Sequence, residues 1–151
     1  LKKNFIWAGR PIFLKNTEAL RKAFSRAKEA DADIRLEIFE RLPREDLMEK
    51  LRTCYAVIYP SLSEVSPNLA LEALAYGKPS IITKETGYTE LLRDVALFVD
   101  PLNEADITEK ILFLAKEKNY QDLSSRARTF GHRHTYGQIA DEYFKLFKTL
   151  S

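Results

Sequence analysis

The run from Ala56 to Thr83, AVIYPSLSEVSPNLALEALAYGKPSIIT, restricts the fold more than any other stretch, because it sets two short apolar strands on either side of one helix. Ala56 to Tyr59 is apolar, partly β-branched and closed by Pro60, the pattern of a strand buried on both faces. Ser61 to Val65 forms a polar loop. Ser66 and Pro67 then read as N-cap and first residue of a helix reaching Tyr76. Gly77 stops that helix and Pro79 leads into a second apolar run, Ser80 to Thr83. Strands joined through a helix pair in parallel, so this segment predicts one βαβ crossover.

The rest of the chain repeats the alternation. A strand is expected at Asn4 to Ala8, then a helix from Glu18 to about Ala30 with Thr17 as its cap and Leu20, Ala23, Phe24 and Ala27 on its inner face. A strand within Ala32 to Phe39 and a helix from Arg44 to Thr53 follow, the latter striped by Leu47, Met48 and Leu51. After the central unit come a short helix at Thr89 to Arg93, a strand at Ala96 to Val99 and a helix capped by Asn103 or Asp106. Tyr120 to Leu150 reads as mostly helical, with an amphipathic stretch from Tyr136. The pattern predicts an α/β fold: a three-layer, Rossmann-like parallel sheet of about five strands flanked by helices, built from residues 1–151 as a single domain.

Within that frame two carboxylates stand out. The helix Pro67 to Tyr76 is apolar on nearly every side, yet Glu72 sits in its middle and needs a hydrogen-bonding partner from protein or ligand. It could equally be a rim carboxylate that caps a neighbouring loop. Glu64 lies in the preceding loop, with seven residues between the two. The helix start offers backbone N–H groups at Asn68 and Leu69 and the positive end of its dipole, a setting suited to phosphate. An anion site with a carboxylate on either side along the chain suits a ligand that joins phosphate to neutral hydroxyls, such as a sugar nucleotide. Arg10 and Lys15 flank the first strand-to-helix loop, where open α/β sheets place ligands, although solvated cations are the common state of such residues.

Pro60-Ser61-Leu62-Ser63-Glu64, Leu71-Glu72-Ala73 and Gly77-Lys78-Pro79 together resemble the Glu, seven residues, Glu motif of the retaining GT-B glycosyltransferases of the group 1 family. Gly9-Arg10, with Lys15 five positions after the Arg, is similar to that family's Gly-Arg and Lys signature. The resemblance implies the carboxyl-terminal, donor-binding half of a two-domain enzyme that moves a sugar from a nucleoside diphosphate sugar to a glycan or lipid-linked acceptor. It implies that Arg10 and Lys15 hold the diphosphate and stabilise it as it leaves, helped by the N–H groups of Asn68 and Leu69. Glu72 would receive the ribose hydroxyls, while Glu64 and its loop, including Ser66, would face the donor sugar. Arg41-Leu42-Pro43 and the helix after it would lie near the base. Two departures accompany the match. Glu40 replaces a usual Gly, and there is room for one strand where the family has strand, helix and strand.

Other classes are disfavoured. Net charge is +2, which calls for no nucleic acid, and no apolar run nears the roughly 20 residues that span a bilayer. The single Cys54 excludes an internal disulfide and fits a reducing compartment. By resemblance the parent protein is cytoplasmic, with peripheral association at the inner face of the membrane open to it. The chain opens Leu1-Lys2-Lys3-Asn4 with a strand following at once, as a piece of a longer protein would. An amino-terminal domain is then a partner, met by the final helix at about 136–150, and the fragment alone should be inactive. His132 and His134 would point to different faces of a helix with no ligand cluster beside them, so no metal or other cofactor is expected. Two alternatives stay open: a non-catalytic nucleotide- or phosphate-binding Rossmann-like module, and an interaction scaffold in which Glu72 is structural.

Overall fold

A computed structural model describes residues 2–130 and 136–150. Five parallel strands, β1 (Lys3–Ala8), β2 (Ile34–Phe39), β3 (Ala56–Tyr59), β4 (Ser80–Thr83) and β5 (Ala96–Val99), form one sheet in the order β2-β1-β3-β4-β5. The helices are α1 (Thr17–Ala30), α2 (Arg44–Thr53), α3 (Asn68–Ala75), α4 (Glu104–Ala115), α5 (Glu117–Phe130) and α6 (Tyr136–Leu150). The expected three-layer arrangement is present: α1 packs on α4 over one face, while α2 meets α3 over the other. No helix of the described residues is long and apolar enough to cross a membrane.

Sequence explains the layering. All four residues of β3 and all four of β4 are buried, as continuous apolar runs covered on both faces should be. Phe5, Ile6, Trp7, Ile58, Ile81 and Ile82 are at most 1% exposed. Each such side chain contributes about 1.5–3 kcal/mol through removal from water. The predicted inner face of α1, Leu20, Ala23, Phe24 and Ala27, is buried in full. Phe24 meets Phe5 edge-on at 5.3 Å.

Three expectations at element ends are corrected. Thr17 is the first helical residue of α1, and the preceding Asn16 takes the left-handed conformation with φ 53°. Ser66 does not cap α3. Pro67 occupies that position with φ −79° and ψ 60°, and the Ser66 hydroxyl donates to Asn68 Oδ1 instead. Thr89 to Arg93 is a series of turns, not a helix, anchored by the buried Leu92, whose N–H reaches the Tyr88 carbonyl. A segment this short gains too few backbone hydrogen bonds to sustain a helix. Asn103 caps α4 as expected, accepting from the N–H groups of Ala105 and Asp106. On α6, Tyr143, Phe144, Leu146 and Phe147 are exposed.

Candidate functional site

β1 and β3 lie side by side although they are not consecutive, so the chain runs outward from them in opposite directions. The crevice beyond their carboxyl ends is where an open α/β sheet binds ligands. The loops leaving these two strands are tied together. Leu62 N–H donates to the Leu14 carbonyl at 2.8 Å, and the Asn16 amide donates to the carbonyls of Pro60 and Pro101 at 3.0 and 2.7 Å. The Glu64 N–H reaches the Glu85 carbonyl at 2.9 Å, which fixes the loop before α3 against the segment after β4. Gly9 allows the close approach beneath, since a first side-chain carbon there would stand 3.0 Å from the Tyr59 hydroxyl.

These loops enclose a cleft of about 530 Å³, and Arg10, Lys15, Glu64, Ser66, Asn68, Leu69 and Glu72 all line it. Residues 62 positions apart in sequence thus share one cavity because both loops leave the same edge of the sheet. Lys15 donates to Glu64 Oε2 at 2.7 Å, with both side chains mostly buried, and its ammonium lies 4.7 Å from the centre of the Tyr59 ring. Burial opposes the charge on Lys15, but the hydrogen bond to Glu64 and the proximity of Tyr59 outweigh it, so its pKa lies above the ordinary lysine value. Burial also raises the Tyr59 phenol, against the opposing pull of Lys15. Glu64 accepts a second, longer contact from the Ser61 hydroxyl at 3.4 Å.

Glu72 has the partner that its setting demanded: Arg44 Nη1 donates to Glu72 Oε1 at 2.6 Å. The walls also carry Arg41 and Glu40. Four cations against three carboxylates leave the cleft net positive. Among the described residues Arg10 and Arg41 pair with no carboxylate, and Arg10 is exposed. The arrangement can take an anion at the Arg10 and Lys15 end and accept hydrogen bonds from hydroxyl groups at Glu72.

The helix start needs one correction. The Asn68 N–H is engaged by the Ser66 carbonyl at 2.8 Å, because the chain turns sharply at Pro67, so of the two expected donors only the Leu69 N–H is free. Sequence reasoning also missed Arg44 and Tyr59. Arg44 looked like an ordinary helix-start residue and Tyr59 like a strand end, although both stand at the carboxyl edge of the sheet. His132 and His134 lie outside the described residues, and among those described no three His, Cys, Asp or Glu side chains converge as metal ligands do.

A family model for the glycosyl transferases of group 1 matches residues 3–130. The chain belongs to this family. An α-1,3-N-acetylgalactosaminyltransferase acting on N,N'-diacetylbacillosaminyl-diphospho-undecaprenol, from Campylobacter jejuni, is 32% identical to this group 1 chain over 107 residues, 69% of the chain and 28% of the enzyme. The chain thus spans less than a third of that relative's length. Among solved structures, the catalytic domain of cholesterol-α-glucosyltransferase from Helicobacter pylori superposes with a TM-score of 0.73 at 19% identity, covering 85% of this chain and 96% of that one. The carboxyl-terminal domain of LpcC, a group 1 protein from Francisella tularensis, gives 0.70 at 18%, covering 84% and 82%. These likenesses confirm the fold, a Rossmann-like half of the GT-B architecture.

Proposed function

We propose that this chain is the donor-binding domain of a retaining glycosyltransferase that takes its sugar, a hexose or its derivative, from a nucleoside diphosphate sugar. The observation that carries the reading is the convergence of Arg10, Lys15 and the free Leu69 N–H with Glu72 on one cleft at the switch point of the sheet. The cations and the helix start suit a diphosphate, and a carboxylate on the same cleft suits ribose hydroxyls. Breaking the sugar–phosphate bond builds negative charge on the leaving oxygen. Arg10 and Lys15 stabilise that charge more strongly in the transition state than in the bound donor, which is what accelerates the step. Glu64 and Ser66 stand on the loop that would face the sugar.

The acceptor and the remaining machinery then come from a second domain, which meets the exposed aromatic face of α6. The Campylobacter relative's acceptor is a diphospho-undecaprenol-linked sugar, which supports a glycan or lipid-linked acceptor. A cytoplasmic parent working at the inner face of the membrane belongs to the same proposal. The domain alone binds donor without transferring it.

Calorimetric titration with UDP, GDP and ADP at low salt tests the reading, with Arg10→Ala as control. Binding of one of them, weakened about tenfold or more in the variant, is expected for a charge-assisted contact. No binding to any of the three would remove the donor-site reading.

A further inference from the structure

We propose that Arg44 is a positioning residue for nucleoside recognition: it holds Glu72 in the orientation that accepts ribose hydroxyls, and it does not itself bind the phosphates. The inference rests on the donor-site reading above. Arg44 is the first residue of α2, directly after the 40–43 loop, and Glu72 sits in the middle of α3; both line the cleft. Their contact is a single charge-assisted hydrogen bond, from Nη1 to Oε1 at 2.6 Å. An ionised carboxylate has about four acceptor sites, so this bond leaves most of them for a ligand, including the whole of Oε2, which has no partner among the described residues.

The pair is poorly suited to a purely structural role. The Arg44 side chain is 65% exposed and Glu72 23%, and ion pairs so open to water stabilise a fold little. Its effect on a ligand is larger. A vicinal diol needs two acceptor sites at fixed spacing, and a glutamate with three side-chain torsions loses rotamer freedom on binding unless it is held beforehand. Arg44 supplies that restraint from the helix next to the one that carries the carboxylate. Lys15 serves as its counterpart at the other end, bound to Glu64, so Glu64 and Glu72 are each held by one cation. Arg10 and Arg41, which pair with no carboxylate among the described residues, are open to an anion directly, and Lys15 reaches a phosphate by exchanging it for Glu64.

The test measures binding of the best nucleoside diphosphate, its 2′-deoxy analogue and inorganic pyrophosphate to the wild-type chain, Arg44→Ala, Glu72→Gln and the double variant. Arg44→Ala should weaken the nucleoside diphosphate about tenfold. Pyrophosphate affinity should change less than about twofold, and the double variant should be no weaker than Glu72→Gln alone. The preference for the ribose over the 2′-deoxyribose ligand should shrink in Arg44→Ala and recover in part in Arg44→Lys. Equal losses for nucleoside diphosphate and pyrophosphate would make Arg44 a phosphate ligand and overturn the inference while leaving the donor site intact. Unchanged binding in Arg44→Ala would do the same. If the wild type bound no nucleoside diphosphate, the donor reading would fall first and this inference with it. Unaltered thermal midpoints for the single variants, expected from the exposure of the pair, show that each binding change arises in a folded chain.

Discussion

Lys15 and Glu64, on loops that leave two adjacent strands, are bonded to each other at 2.7 Å across the cleft. A ligand phosphate must therefore compete with Glu64 for the Lys15 ammonium. The two side chains are 19% and 11% exposed, so water screens that competition only in part.

It follows that Glu64→Gln should bind pyrophosphate more tightly than wild type, by about 3- to 10-fold, because the neutral amide frees the ammonium. Lys15→Ala should bind it at least about tenfold more weakly. Calorimetry on the two variants decides the matter. Weaker binding in both would mean that Glu64 holds Lys15 in place for the phosphate instead of competing with it. The raised pKa of Lys15 keeps it charged to above the ordinary lysine range, so pyrophosphate affinity should show no loss from Lys15 deprotonation between pH 7 and about 9.5.

Asn16 ties the cleft loops together through its two amide hydrogen bonds while its backbone sits at φ 53°. Asn16→Gly relieves the backbone but deletes the amide, and Asn16→Ala loses the amide and strains the backbone. Urea denaturation should show Asn16→Ala destabilised by about 2–3 kcal/mol and Asn16→Gly by about 1–2 kcal/mol. A glycine variant as stable as wild type would make the amide bonds unimportant.

Gly77 has φ 66°, and a first side-chain carbon there would stand 2.4 Å from Arg128 Cγ on α5. The Gly77 carbonyl also accepts from the buried Ser124 hydroxyl at 2.8 Å, so the turn cannot easily shift. Gly77→Ala should cost about 2–3 kcal/mol in equilibrium unfolding. Adding Arg128→Ala should restore the steric part and leave about 1 kcal/mol from the backbone. Full restoration would show that backbone strain plays no part.

Cys54 is buried at the end of α2 with its thiol directed to the Leu51 carbonyl, and burial pushes its pKa up to about 12. Thiolate is the reactive form, so the native chain should resist iodoacetamide at pH 8, and unfolding in urea should restore labelling to the rate of a free cysteine. Rapid labelling of the folded chain would contradict this burial.

The short apolar runs at 56–59 and 80–83 and the spacing of Leu20, Ala23, Phe24 and Ala27 were enough to assign strands, helices and parallel pairing, because buried elements must repeat their apolar residues with their own period. Element ends were less legible. Ser66-Pro67 had the composition of a cap, but the backbone at Pro67 turned the Ser66 hydroxyl toward the Asn68 side chain and set the Ser66 carbonyl on the Asn68 N–H that was expected to be free. Such choices differ by about 1 kcal/mol and depend on neighbours distant in sequence.

The seven site residues named from sequence do line one cleft, since each sits on a loop that leaves the carboxyl end of a strand or on the helix that follows it, and topology gathers those loops and helices. What sequence could not provide was pairing across the cleft. Nothing local to Arg44 marks it as the partner of Glu72, and nothing local to Lys15 marks Glu64. Those contacts exist because parallel strands bring separate loops within hydrogen-bonding distance. Periodicity along the chain determined the layers; only the order of strands in the sheet decided which charges meet.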